Sequence, residues 1–288
     1  MNGRALSILL LLAAVLIWGS TYVVTKGGVE EAPPMLFALL RYCVASLLLV
    51  PLALLRARRP RADRPSRGTL VLMGLTGVAL YYAGFNLALT YTTASQGALV
   101  QSSIPAVTAV LAVVWLRERL SMRRMLGIGL AIAGVLLIVA GSPSNEGARA
   151  PLIGNLLMFG TVLTWGAYTM LAKRVARADA VVVTAAVSLI GTVLLIPAAL
   201  AEAVGTPAPS ISAETWLRIM YLGALPSGAS YLLYNRALRD LDASQVGAFT
   251  NLSPVIGAVS GVVFLGETIT PLAIGGGAVV LVGVWMCR

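Results

Sequence analysis

Apolar stretches of about 20 residues alternate with short polar connections along almost the whole chain. One apolar helix of that length crosses the hydrocarbon core of a bilayer. Counting the stretches predicts ten membrane-spanning helices, called spans one to ten below. They start near Ala5, Pro34, Thr69, Ala94, Met125, Leu152, Ala180, Thr215, Val246 and Leu272. The pattern therefore predicts an all-α membrane protein.

Part of this pattern occurs twice, at a constant offset of 149 residues. The landmarks are Asn86 and Asn235, Ser95 and Ser244, Gln96 and Gln245, Pro105 and Pro254, Glu118 and Glu267, and Gly134 and Gly283. The Trp18-Gly19 pair similarly recurs as Trp165-Gly166. A register kept over so many positions indicates internal duplication. We expect a first repeat over residues 1–144 and a second over residues 150–288.

The number of spans and the placement of basic residues together predict the topology. Five spans per repeat mean that the second repeat enters the membrane from the opposite side, so the repeats are inverted. The two termini and the even-numbered loops hold 17 of the 21 Lys and Arg residues, and the odd-numbered loops hold two. Basic residues concentrate on the cytoplasmic side. Both termini are therefore predicted to be cytoplasmic.

Pro105 and Pro254 each lie midway along a predicted span, span four and span nine. A proline within a helix removes one backbone N–H and displaces the carbonyl four residues earlier, here that of Gln101 or Thr250. Lipid cannot satisfy a freed carbonyl, so such breaks occur where protein or a water-filled cavity takes its place. We therefore expect a central cavity between the repeats, as in secondary transporters, with Pro105 and Pro254 as hinges.

Composition supports a membrane protein and argues against nucleic-acid binding. Of the 288 residues, 58% are hydrophobic and 11% are charged, and the mean hydropathy is +0.89. Soluble proteins carry about 25% charged residues. The net charge of +10 includes six arginines between Arg56 and Arg67, which we place beside anionic lipid headgroups. A surface that binds single-stranded nucleic acid combines basic residues with aromatic ones. No aromatic residue interleaves with these arginines.

The chain lacks the residue sets that enzymes and metal sites use. It contains no His, and it shows no HExxH motif, no GxSxG motif and no phosphate-binding loop. We therefore expect no enzyme activity, no metal and no cofactor. All 11 Asp and Glu lie at or near span ends, so proton coupling through a deeply buried carboxylate is disfavoured. Glu267 is expected to cap or pair at the end of its span.

Aromatic and polar residues share helix faces in spans one, three, six and eight, which favours a cavity lining with a few hydrogen-bonding groups. The alternative is ordinary packing in a crowded helical bundle. The candidate substrate-binding residues are Trp18, Tyr22, Tyr82, Asn86, Gln101, Ser102, Trp165, Tyr168, Tyr231, Asn235 and Thr250. Arg41 lies about eight residues into span two. We favour a structural role for it over a site for a substrate carboxylate.

The duplicated Trp-Gly, the Ser-Gln with Pro and the following Glu resemble the drug/metabolite transporter superfamily, in particular its bacterial EamA-type exporters. The resemblance covers essentially the whole chain. It implies a cavity formed by spans one, three, four, six, eight and nine, with spans five and ten at the periphery. It also implies export of neutral, hydrophobic or aromatic amino acids across the bacterial inner membrane.

Several alternatives remain open at this stage. The same scaffold could export lipophilic drugs, or it could serve as a membrane receptor that transports nothing. The expected partners are the amino-acid substrate and the lipid bilayer, and the expected assembly is a monomer or a weak dimer.

Overall fold

The computed structural model describes residues 3–56, 65–116, 121–141, 149–175, 178–204, 209–234, 249–250 and 252–286. Within these ranges the regular elements are all helices. This is the expected outcome for a lipid-embedded chain, because a helix satisfies its backbone polar groups internally. Several predicted features lie outside the described residues: Glu118, Asn235, Ser244, Gln245, and most of the basic loop and of the break between repeats.

Within the described residues the apolar stretches are helical, and spans three and four each comprise two α-helices. The described α-helices are α1 (Gly3–Val29), α2 (Pro34–Arg56), α3 (Arg67–Gly74), α4 (Leu80–Tyr91), α5 (Ala94–Gln101), α6 (Ile104–Leu116), α7 (Met122–Ala140), α8 (Pro151–Arg174), α9 (Ala180–Ala203), α10 (Ala213–Ala224), α11 (Leu252–Leu265) and α12 (Pro271–Met286). Among the described residues, four stretches are long and apolar enough to cross a membrane: Ala5–Val29, Pro34–Arg56, Arg67–Tyr91 and Ala180–Ala203.

Span four is interrupted by a two-residue turn, Ser102 and Ser103, just before the proline. Helix α5 ends at Gln101 and helix α6 begins at Ile104, which makes Pro105 the second residue of α6. Proline is well tolerated in a first helical turn, where its missing N–H would have no partner in any case. At the break, the Ser102 and Ser103 hydroxyls donate to the carbonyls of Leu99 and Val100, at 2.5 and 2.7 Å. Two carbonyls at the break are thus satisfied within the chain.

Two π-helical turns interrupt spans three and eight, and the sequence did not predict them. One turn, Leu75–Ala79, joins α3 to α4. The other, Leu225–Ala229, follows α10 and leads into the helical residues 230–234. The two turns occupy nearly equivalent positions in the two predicted repeats. Single π turns within α-helices occur frequently at functional sites, because they reorient side chains and expose backbone carbonyls.

Helices α7 and α12, which belong to spans five and ten, pack closely against each other. A Cβ atom on Gly134 would lie 2.6 Å from the Gly276 carbonyl oxygen, and one on Gly276 would lie 2.7 Å from the Gly134 carbonyl oxygen. Glycine allows two backbones to approach in this way. The opposite faces of the pair expose large apolar side chains, including Leu136 and Val282, as the periphery of a membrane protein requires.

We predict that Gly134→Ala destabilises the protein by about 1–3 kcal/mol, because the new methyl group would force two backbones apart. The matched control is Gly129→Ala on the same helix, where a Cβ atom would meet nothing within 4 Å. The measurement is the thermal unfolding midpoint in detergent. The control should match or exceed the wild-type midpoint, because alanine favours helix formation over glycine. Equal losses for the two variants would contradict the packing described here.

Candidate functional site

Gln101 connects four helices at the point where span four is broken. Its side chain is buried, and its Oε1 accepts hydrogen bonds from the hydroxyls of Tyr81, at 2.9 Å, and Tyr22, at 3.4 Å. Its Nε2 donates to the Thr161 hydroxyl at 3.0 Å. A carboxamide can accept and donate at once, which suits it to this position. Gln101, which the sequence predicts to bind substrate, therefore links α5 to α1, α4 and α8.

Around this connection lies a group of rings, here called the central aromatic cluster: Tyr22, Tyr42, Tyr81, Tyr82, Phe85, Trp165 and Tyr168. The Tyr42 and Tyr82 centroids lie 4.8 Å apart, and Trp165 lies 5.0 Å from both Tyr81 and Tyr168. Such separations are typical of favourable aromatic pairs. The cluster brings together four of the predicted residues from spans one, three and six.

A second aromatic group lies against the second π turn. The Trp18 ring is 5.8 Å from Tyr231 and 5.5 Å from Tyr234. The Trp18 Nε1–H donates to the Pro226 carbonyl at 3.1 Å, and Pro226 lies within the π turn. The indole therefore satisfies a carbonyl in the interrupted part of the helix.

The glycines of the two Trp-Gly pairs bring α1 and α8 close to residues that follow the prolines of spans nine and four. A Cβ atom on Gly19 would lie 2.5 Å from Ile256 in α11, and one on Gly166 would lie 2.7 Å from Leu111 in α6. Each glycine thus lets a helix approach the segment that follows a predicted hinge. This gives the duplicated Trp-Gly pair a packing reason in both halves of the chain.

A small cavity lies between the two aromatic groups. It is lined by Tyr42, Gly77, Val78, Tyr168, Thr184, Val187, Ser188 and Tyr231. Only about 10 Å³ of it admits the centre of a water molecule, which is room for about one water. A Cβ atom on Gly77 would lie 2.3 Å from the Tyr168 ring, so this glycine in the first π turn allows the ring to fill the space. The cavity admits no amino acid in this conformation.

Arg41 is completely buried beside the central aromatic cluster. Its Nε donates to the Ser227 hydroxyl at 2.9 Å, and its Nη2 donates to the Tyr82 hydroxyl at 3.4 Å. Its Cζ lies 4.3 Å from the Tyr82 ring centroid, in cation–π contact. Its Nη1 has no hydrogen-bond partner among the described residues. Among the described residues, its side-chain hydrogen bonds are therefore to one residue from each half of the chain, Tyr82 and Ser227.

The remaining predicted residues are Asn86, Ser102, Thr250 and Asn235, and none of them belongs to either aromatic group. Asn86 is buried and its Nδ2 donates to the Pro34 carbonyl at 3.0 Å, which places its side chain near the start of α2. Ser102 forms part of the break described above. Thr250 lies in the helical stretch 249–250 ahead of α11. Asn235 lies outside the described residues.

Three carboxylates close one end of the bundle, here called the α1–α2 face because α1 ends and α2 begins there. Glu267 accepts from the backbone N–H groups of Ala94 and Ser95, both at 2.7 Å, at the start of α5. This confirms the prediction that Glu267 caps a span end. Glu202 likewise accepts from the N–H groups of Met35 and Leu36, at 2.9 and 3.0 Å.

The third carboxylate, Glu31, accepts from the backbone N–H and hydroxyl of Ser212 and from the hydroxyl of Thr215, at the start of α10. The hydrogen bonds from Thr215 and Ser212 hold the pKa of Glu31 below its ordinary value. Helix N-termini favour negative charge, because their first N–H groups lack partners within the helix. All three contacts join the first half of the chain to the second.

A buried lysine complements the carboxylates at this face. The Lys26 ammonium donates to the carbonyls of Leu89, at 2.8 Å, and Thr92, at 3.0 Å, at the end of α4. The last carbonyls of a helix favour a positive charge. Among the described residues, no group of three His, Cys, Asp or Glu side chains could hold a metal ion.

Comparison with known proteins places this arrangement in a family. The model of the EamA-like transporter family matches residues 5–140 and again residues 152–288. A probable terminal-alkyne amino-acid exporter of Streptantibioticus cattleyicolor is 29% identical over 96% of this chain and 91% of its own length. A probable amino-acid metabolite efflux pump of Salmonella typhimurium is 28% identical, over 96% of this chain and 93% of its own length.

Two further comparisons agree with this placement. An uncharacterized transporter of Archaeoglobus fulgidus is 29% identical over 96% of both chains. A solved crystal structure that shares 20% sequence identity covers 98% of this chain and 96% of its own, with a TM-score of 0.65, which shows a common fold. The protein is therefore a multi-pass membrane transporter, and the chain belongs to the EamA-like transporter family.

Proposed function

We propose that this transporter exports or exchanges neutral, hydrophobic or aromatic amino acids by alternating access in the bacterial inner membrane. The observation that carries the proposal is the central aromatic cluster beside the broken span four. Its rings come from α1, α2, α4 and α8, and therefore from both halves of the chain. Rings of this kind suit an apolar or aromatic side chain. Two relatives named as an amino-acid exporter and an amino-acid metabolite efflux pump support the same substrate class.

We further infer ten spans, arranged as inverted repeats over residues 1–144 and 150–288, with both termini in the cytoplasm. Three findings support this arrangement. The family model matches each half separately, and the π turns occupy nearly equivalent positions. The glycines of both Trp-Gly pairs pack against residues that follow the prolines of spans four and nine. In this topology the α1–α2 face is the outer face of the membrane.

The proposed transport cycle moves one repeat against the other. The carboxylate contacts of Glu31, Glu202 and Glu267 hold the outer face closed, because each one bridges the two repeats. The break at Ser102 and Ser103, with Pro105 behind it, and the region of Pro254 act as hinges. Opening the inner face would separate Tyr42, Tyr168 and Tyr231 and enlarge the cavity between them.

Counterflow in proteoliposomes tests the proposed substrate class. We predict that Trp165→Ala lowers the counterflow of labelled L-tryptophan and L-phenylalanine at least about tenfold, because the variant removes a ring that contacts both Tyr81 and Tyr168. The matched control is Trp216→Ala, since Trp216 is an exposed indole on α10. Equal effects of the two variants would remove Trp165 from the site. Wild-type counterflow of lipophilic drugs alone, or binding without any counterflow, would contradict the proposed function.

We also predict that Glu267→Gln loosens the outer face, because a neutral carboxamide replaces two charge-assisted hydrogen bonds to the start of α5. The readout is the labelling rate of Thr93→Cys by a membrane-impermeant maleimide, in a background with Cys43 and Cys287 replaced by alanine. Thr93 is 1% exposed in the closed face. Labelling should be faster in the Glu267→Gln protein. The exposed acid Glu214 provides the control, and equally fast labelling after Glu214→Gln would contradict this role of Glu267.

A further inference from the structure

We propose that Arg41 binds the carboxylate of the transported substrate, so that an anionic group is required for recognition. The inference rests on the proposed function, and it assigns one specific group at that site. It also reverses the structural role that the sequence favoured for this residue. Three features support the inference: the charge balance around Arg41, its unused hydrogen-bond donors and its position beside the aromatic rings.

The Arg41 guanidinium carries a charge that the described protein does not neutralise. Its side chain is 0% exposed, and no Asp or Glu among the described residues lies within salt-bridge distance of it. A buried charge is costly unless it is paired and hydrogen-bonded. Charged residues within membrane spans are rare, and those that occur mark substrate or ion pathways. An anion that arrives from solution would supply the missing countercharge.

The hydrogen-bond pattern leaves a specific part of the guanidinium available. Ser227 takes the Nε donor and Tyr82 takes one from Nη2, while Nη1 has no partner among the described residues. The planar guanidinium fork matches the two oxygens of a carboxylate. The Tyr82 ring covers one face of the guanidinium, so the N–H groups that remain available to a ligand lie at the guanidinium edge.

The surrounding backbone holds Arg41 in this position. A Cβ atom on Gly223 would lie 2.6 Å from the Arg41 carbonyl oxygen, so this glycine brings α10 directly against α2. The π turn that follows α10 then presents the Ser227 hydroxyl to the guanidinium. Gly223 and the π turn, both in the second half of the chain, thus bring Ser227 to Arg41. Because Tyr82 belongs to the first half, residues of both halves hold the guanidinium.

The position of Arg41 also places a bound carboxylate next to the proposed side-chain site. Tyr82 contacts the guanidinium, and its neighbour Tyr42 lines the small cavity. A substrate anchored at Arg41 would direct an aromatic or aliphatic side chain toward these rings. Amides and amines of the same shape would place a neutral or positive group against the guanidinium. Cationic lipophilic drugs would be disfavoured for the same reason.

Ligand binding to the purified protein tests this inference. The probes are L-phenylalanine, 3-phenylpropionate and L-phenylalaninamide, and affinity is read from the ligand-dependent rise of the unfolding midpoint in detergent. Wild-type protein should bind the two carboxylates at least about tenfold more tightly than the amide, as expected for a charged hydrogen bond. Arg41→Gln should abolish this preference by weakening carboxylate binding and leaving amide binding unchanged. Arg41→Lys should keep the preference at reduced affinity, because it keeps the charge and loses the fork.

The control is Arg123→Gln, since Arg123 lies at the Trp285 ring on the exposed face of the bundle. This variant should bind all three probes as the wild type does. A wild-type carboxylate-to-amide ratio near one would overturn the inference, and this result does not depend on whether any variant folds. Retention of the ratio in Arg41→Gln would also overturn it. If chloride raised the unfolding midpoint and neither carboxylate did, Arg41 would bind an inorganic anion. This result would likewise overturn the inference.

Counterflow separates this inference from the proposed function. An Arg41-dependent carboxylate preference without counterflow of any amino acid would contradict amino-acid transport and support the Arg41 site. Counterflow of L-phenylalanine that is unchanged by Arg41→Gln would support amino-acid transport and contradict the Arg41 site.

Discussion

A polar side chain inside a membrane protein must find its hydrogen-bond partners within the bundle, and Gln101 meets this constraint at the point where a span is broken. Its carboxamide joins α1, α4, α5 and α8, while Ser102 and Ser103 satisfy the carbonyls beside it. Because these bonds compensate for the break, a discontinuous helix can persist at the centre of the bundle. The aromatic rings then assemble around that discontinuity.

Charges are distributed in a way that fits transport between two faces. Glu31, Glu202 and Glu267 cap helix starts at the α1–α2 face, whereas Arg41 lies buried with one donor, Nη1, that has no partner among the described residues. Interactions at a face are remade with water when that face opens, so they can be broken at modest cost. A central guanidinium cannot exchange its partners for water so readily. The closed face and the charged centre therefore have different roles.

The sequence was sufficient for the helical fold, because the length of apolar stretches predicts spanning helices. The duplicated landmarks indicated the internal repeat and carried the resemblance to the family. The sequence also placed Trp18, Tyr82 and Trp165 on polar and aromatic helix faces, and the structure brings their rings into aromatic contacts. It did not predict the π turns, since a single extra residue in a turn leaves no signal in an apolar stretch. It also missed Tyr42, because which residues of different helices meet is decided by packing.

Water access to the broken span tests the central claim most directly. Single cysteines would replace Ser103 and Ser253, which precede the two prolines, in a background without Cys43 and Cys287. Water-soluble thiol reagents would then be applied from each side of a sealed membrane. If a discontinuous helix lines a substrate pathway, both cysteines will react, and L-phenylalanine will slow the reaction. If both stay unreactive from both sides, with and without L-phenylalanine, the centre of the bundle is a dry core and the account is wrong.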